Sequence, residues 1–133
     1  MKLFRKSAVF ISSFAILILL TSAVVSAQKG TSVVRRIKFA PGRTTAVLRG
    51  SVHRGLSHDY LLKARAGQTM TVRLVASGQV SFDLLSPGRT DLLAEYSKDW
   101  SGELPQSGDY RINVLPDTTT ERNISYTLEV TVR

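Results

Sequence analysis

The residues of this chain that could do chemistry are few, and most are spaced poorly for it. His53 and His58 are the two histidines. Their spacing suits neither one face of a helix nor one face of a strand, where side chains share a side at every second residue. They flank the turn Arg54-Gly55 and read as surface residues. Asp59 is the one further ligand type nearby, which falls short of the converging set that a metal needs, so no metal site is expected. Asp91, Glu95, Asp99 and Glu103 form an acidic run. Two carboxylates can hydrolyse a glycosidic bond, and a larger group can hold calcium. No calcium-loop spacing is present, and the run reads as a wet strand and its loop. There is no Gly-x-Ser-x-Gly nucleophile turn and no glycine-rich phosphate cradle. The absence of Cys removes thiol catalysis, iron–sulfur clusters and cysteine zinc sites. The expectation is a protein that is not an enzyme and carries no cofactor.

Binding is the chemistry that remains. Leu104-Pro105-Gln106-Ser107-Gly108-Asp109-Tyr110 is a Pro- and Gly-punctuated loop that opens into the alternating segment Arg111-Ile112-Asn113-Val114. A loop fixed at the start of a strand is rigid and exposed, which is where recognition concentrates. The Ser107 hydroxyl can donate to a charged acceptor, and Gly108 permits a positive φ and close backbone approach. Tyr110 has two readings. Its ring can add contact area to an interface, or it can turn inward, in phase with Ile112 and Val114, with its hydroxyl tied to nearby backbone. Trp100, the single Trp, is either an exposed contact or a ring laid over a sandwich edge.

These residues need a scaffold. The first 27 positions read as an export signal. Lys2, Arg5 and Lys6 precede an apolar stretch, and Val25-Ser26-Ala27 supplies small residues for cleavage before Gln28. The expected product is residues 28–133, one domain without a membrane segment. The net charge is +8, but the basic residues are scattered at alternate positions, as on solvated strand faces. With export and no aromatic–basic signature, nucleic acid is not an expected partner.

From Val33 onward the dominant period is two, as in Met70, Val72 and Leu74 or Tyr126, Leu128, Val130 and Val132. Turn residues recur about every ten positions, the mark of an all-β sandwich or barrel. The spacing predicts strands near 33–39, 44–52, 58–65, 69–77, 80–85, 91–96, 108–115 and 125–132. The expected fold is a single-domain, antiparallel, eight-stranded β-sandwich.

The order of landmarks resembles the periplasmic inhibitor of goose-type lysozyme family. It runs through Phe39 and Gly42, Gly50-Ser51-Val52, Asp59-Tyr60, Lys63-Ala64-Arg65-Ala66-Gly67-Gln68, the strand with Met70, Val72 and Leu74, Pro87-Gly88, the 104–110 block and a final strand led by Tyr126. It spans roughly Arg36 to Val132. The resemblance implies a periplasmic, eight-stranded sandwich whose partner is goose-type lysozyme. It also implies that a Ser-Gly-x-Tyr loop, here Ser107, Gly108 and Tyr110, plugs the enzyme cleft. Asp109 holds the variable position and Trp100 lies close by in sequence, so both are possible accessory contacts. Asp109 would be repelled by a cleft carboxylate unless it points away or meets a basic residue on the cleft rim. The alternative is a sandwich module like the pre-peptidase C-terminal domains, binding peptidoglycan, another envelope glycan or a secreted protein, with Trp100 and Tyr96 exposed together.

Overall fold

The computed structural model describes residues 30–117, 119 and 121–133. The segment 1–27, read above as an export signal, lies outside them. Nine strands form in chain order: β1 Thr31–Arg36, β2 Thr45–Val52, β3 Leu56–Ala64, β4 Thr69–Ala76, β5 Val80–Leu85, β6 Leu92–Ser97, β7 Asp99–Glu103, β8 Gly108–Pro116 and β9 Ile124–Val132. They make a five-stranded sheet, ordered β1-β3-β8-β5-β6, and a four-stranded sheet, ordered β2-β9-β4-β7. The all-β sandwich is as expected, with two corrections. The strands number nine rather than eight, because Asp99–Glu103 pairs with β4 from Thr69↔Glu103 to Arg73↔Asp99. That segment holds two carboxylates and a glycine, poor strand formers, so it depends on its neighbour for its shape. The sheets are also not wholly antiparallel: β1 runs parallel to β3. Parallel neighbours need a crossover, and β2, in the other sheet, provides it.

Alternation explains the layering. In β9 the residues Ile124, Tyr126, Leu128, Val130 and Val132 are buried, while the positions between them are exposed or half-buried. β4 repeats the pattern with Met70, Val72 and Leu74. β8 contributes Tyr110, Ile112 and Val114 from the facing sheet. Such side chains contribute about 1.5–3 kcal/mol each when fully buried, and they fill the space between the sheets without a disulfide.

Two polar groups interrupt this pattern. His58 is buried inside the sandwich, with Nδ1 2.5 Å from the Tyr126 hydroxyl. That hydroxyl lies 2.5 Å from the Tyr60 hydroxyl. The expectation of a surface His58 is therefore overturned, because the ring continues the inward phase of Tyr60, Leu62 and Ala64. Gly50 makes room: a Cβ there would lie 2.6 Å from the Tyr126 hydroxyl and 3.0 Å from His58 Nδ1. On the outer side of the five-stranded sheet, Asp59 is also buried. It accepts from Arg111 Nη1 at 2.5 Å and from the Asn113 amide. Buried polar atoms need partners, and no buried side-chain nitrogen or oxygen among the described residues lacks one.

Two outcomes are expected. Gly50→Ala forces a methyl against Tyr126, and overpacking should cost about 1–3 kcal/mol in urea unfolding. Burial, followed by the charge of Arg35, holds His58 below its ordinary value of 6.5. The unfolded chain then binds the extra proton first, so stability is fully present above pH 6.5 and falls as the pH drops through that value. Urea midpoints at pH 7.5 and pH 5.5 should differ more for the wild type than for His58→Gln.

Candidate functional site

One end of the sandwich gathers three turns that are far apart in sequence. Leu104 leaves β7 and is buried in the core. Its N–H donates to the Gln68 carbonyl at 2.8 Å, and its carbonyl accepts from Gly67 N–H at 2.9 Å. Ala66 N–H donates to Ser107 Oγ at 2.9 Å. Gln68 braces its own turn by accepting from Arg65 N–H through Oε1 at 2.8 Å. The 104–107 loop is thus stapled to the 65–68 turn. The third turn, Ser86–Asp91, is closed by the buried Ser86, whose Oγ accepts from Asp91 N–H at 2.9 Å. Its Pro87 abuts Gly108, where a Cβ would lie 2.9 Å from the proline ring. Gly108 also has φ +142, so the position excludes a side chain twice over.

Tyr110 resolves its two readings toward the inside. Its ring is fully buried. The hydroxyl donates to the Gln106 carbonyl at 2.6 Å and accepts from Gln106 N–H at 3.1 Å. This is a tyrosine corner, in which a strand-opening ring fixes the backbone just upstream. Gln106 and Gly108 remain half-buried, while Pro105, Ser107 and Asp109 are exposed. The Ser107 hydroxyl uses its oxygen on Ala66, and its proton has no acceptor among the described residues.

Asp109 points onto the outer face of the five-stranded sheet. There Arg36 of β1 grips it with Nη1–Oδ1 2.8 Å and Nη2–Oδ2 2.9 Å. Lys63 stands opposite it on β3. The Arg36 fork, helped by the charge of Lys63, holds the Asp109 carboxyl below its ordinary range. Trp100 lies four residues before Leu104, roughly 13 Å back along the strand at the usual rise. It is half-buried against the core with its ring over Gly102. Tyr96, by contrast, is 72% exposed on β6.

The other chemical candidates do not converge. His53 sits in the β2–β3 turn, its Nδ1 2.8 Å from the Arg54 carbonyl, while His58 is in the core. Asp99 pairs with Arg73 at 3.3 Å, Glu95 lies on the other sheet, and Asp91 closes the Ser86 turn. No group of three or more metal-ligating side chains occurs among the described residues. Sequence reasoning missed the Arg36–Asp109 and Asp59–Arg111 pairs. The one available signal was Asp59 itself, a carboxylate immediately before the apolar run Tyr60-Leu61-Leu62.

Solved structures share this sandwich form. The structure is similar to that of PliG from Aeromonas hydrophila, a periplasmic inhibitor of g-type lysozyme, with TM-score 0.70 and 29% identity, covering 77% of this chain and 97% of that one. It is also similar to Salmonella Typhimurium PliG, with TM-score 0.62 and 22% identity over 77% of this chain and 100% of the other. A mutant PliG from Escherichia coli gives TM-score 0.59 and 22% identity over 77% and 98%. The latter two likenesses concern the fold alone. No protein-family model matches the chain, and no curated protein matches it either. The resemblance to the goose-type lysozyme inhibitors is thus shared by sequence landmarks and by fold.

Tyr110→Phe should test the corner directly. It leaves the Gln106 N–H and carbonyl without their shared partner and should cost about 1–3 kcal/mol in urea unfolding. Amide exchange at Gln106 and Ser107 should speed up together.

Proposed function

We propose that this protein is an exported, periplasmic inhibitor of goose-type lysozyme that blocks the enzyme cleft with its 104–110 loop. The observation that carries this reading is the stapled Ser107–Gly108 turn on a sandwich similar to a PliG at TM-score 0.70. A glycosidase cleft holds carboxyl groups in defined protonation states. Ser107, with its proton free, can donate to a charged carboxylate there, and such charge-assisted bonds are roughly twice as strong as neutral ones. Gly108 supplies the narrow backbone. Tyr110 takes part from beneath, by holding the loop in its bound shape before contact. Preorganisation of that kind raises affinity by lowering the entropy lost on binding. Trp100 is a flank contact at most in this arrangement. Catalysis by the protein itself has no part in it.

A lysis assay run in parallel with goose-type, chicken-type and invertebrate-type lysozymes tests the reading. Inhibition of the goose-type enzyme is expected, and Ser107→Ala should weaken it by about 1–3 kcal/mol, with the fold intact by circular dichroism. Undiminished inhibition by Ser107→Ala would remove the plug mechanism. Retention on peptidoglycan with no effect on any lysozyme would favour the glycan-binding module instead.

A further inference from the structure

We propose that the open edge of β2 is a docking site for an extended acidic segment of a partner protein, which joins the four-stranded sheet as an added strand. The proposal stands apart from the plug reading, because it uses backbone groups and charges on a different side of the sandwich.

Each sheet ends in strands that pair on one side only. Proteins guard such edges with charge, shortness or bulges. Three of the four edges here are guarded. β1 carries the adjacent cations Arg35 and Arg36. β7 has five residues and includes two carboxylates, Asp99 and Glu103. β6 shifts register against β5 and takes φ +46 at Tyr96. β2 has none of these features. It runs for eight residues, Thr45–Val52, in unbroken register with β9. It contains no Pro and a single charge, Arg49, and Val47 is 56% exposed.

The bonding phase shows which groups are open. Val132 N–H donates to the Thr44 carbonyl at 2.9 Å. Bonded residues alternate in an antiparallel pair, so Ala46, Leu48, Gly50 and Val52 bond to β9. Thr45, Val47, Arg49 and Ser51 turn their N–H and C=O groups outward, where they have no backbone partner among the described residues. Strand addition uses such a row of donors and acceptors. On the core side of this edge Ala46 and Leu48 are half-buried, so alternate side chains of an added strand meet apolar surface.

Charge selects the occupant. Asp59 is the first acidic residue of the chain, so β1, β2 and the segment between them carry basic charge only. Arg43 precedes β2, and Arg49 lies on its wet face. Arg35 lies beneath it, where its charge acts on His58 and Tyr126, the side chains packed against Gly50. All three arginines are exposed, with no ion-pair partner among the described residues. The nearest acid across the register is Glu129, one strand inward opposite Val47, with Arg73 on its far side. A second copy of this chain would set these arginines against their equals, and like charges reject a partner. An acidic strand with apolar residues at alternate positions satisfies backbone, charge and packing together.

Amide NMR of the isotope-labelled protein, titrated with an acetylated and amidated octapeptide alternating Val and Glu, tests this. Shifts should centre on Thr45, Val47, Arg49 and Ser51, whose exchange with solvent should slow. Binding should fade in high salt. A Val–Lys peptide and a fully N-methylated Val–Glu peptide should each bind at least about tenfold more weakly. Val47→Pro removes an outward N–H and leaves the bonds to β9 in place, so it should weaken binding with the other amide shifts of β9 unchanged. Arg49→Glu, which alters no backbone group, should weaken it about threefold or more. No shift at millimolar peptide, shifts centred elsewhere, or equal binding of either control peptide would overturn the proposal. So would concentration-dependent shifts of the same amides without peptide, which would assign the edge to a second copy.

Discussion

The Tyr110 hydroxyl stands at the boundary between core and loop, and the shape of the loop depends on it. A buried hydroxyl without a partner would be costly. Here both its donor and its acceptor are satisfied by the backbone of Gln106. The bonds close a small ring of chain from Gln106 to Tyr110. With Leu104 anchored in the core and Tyr110 fully buried, the residues between have no freedom to sink inward. Ser107 is left at the surface because its neighbours are fixed below it. In a chain without cysteine, this arrangement of burial and hydrogen bonds does for the loop what a disulfide does in many secreted domains.

The same economy recurs in the core. Tyr60, Tyr126 and His58 bring three polar groups between the sheets, and each finds its partner in another of the three. Gly50 belongs to this cluster, although it contributes no atom beyond its backbone: the space it leaves is occupied by the Tyr126 ring end. The motif Gly50-Ser51-Val52 and the final strand led by Tyr126 are therefore two halves of one packing unit. That gives a physical reason for both landmarks to appear in the same chain.

Much of the fold was legible because burial on one face imposes period two. The strands containing Met70, Phe82, Ile112 and Leu128 can be read directly, and Tyr110 shares a phase with Ile112 and Val114. What could not be read was whatever depends on a neighbour. β7 has the composition of a loop, and only pairing with β4 extends it. The parallel direction of β1 leaves no trace in its own alternation. His58 looked like a turn residue because its partners, Tyr60 and Tyr126, complete their hydrogen bonds only after the two sheets pack together. The site divides the same way. Ser107 and Gly108 announce a turn locally, whereas the Arg36–Asp109 contact joins residues 73 positions apart and follows from two strand registers together.

The positive charge of the chain also looks different once the registers are known. As a total it suggests attraction to anything acidic. In the fold, four of the basic residues are paired at long sequence range: Arg111 with Asp59, Arg36 with Asp109, Arg73 with Asp99 and Arg54 with Glu121. These pairs differ in kind. Arg111–Asp59 is largely withdrawn from water, so removing one partner would strand a buried charge. The other three are exposed, and their Coulomb energy is largely screened. An exposed pair is weak enough to open yet directional enough to orient a carboxylate. Among the exposed pairs, Arg36–Asp109 alone is a two-pronged fork, and it stands one residue from Gly108 of the turn that the three loops combine to hold.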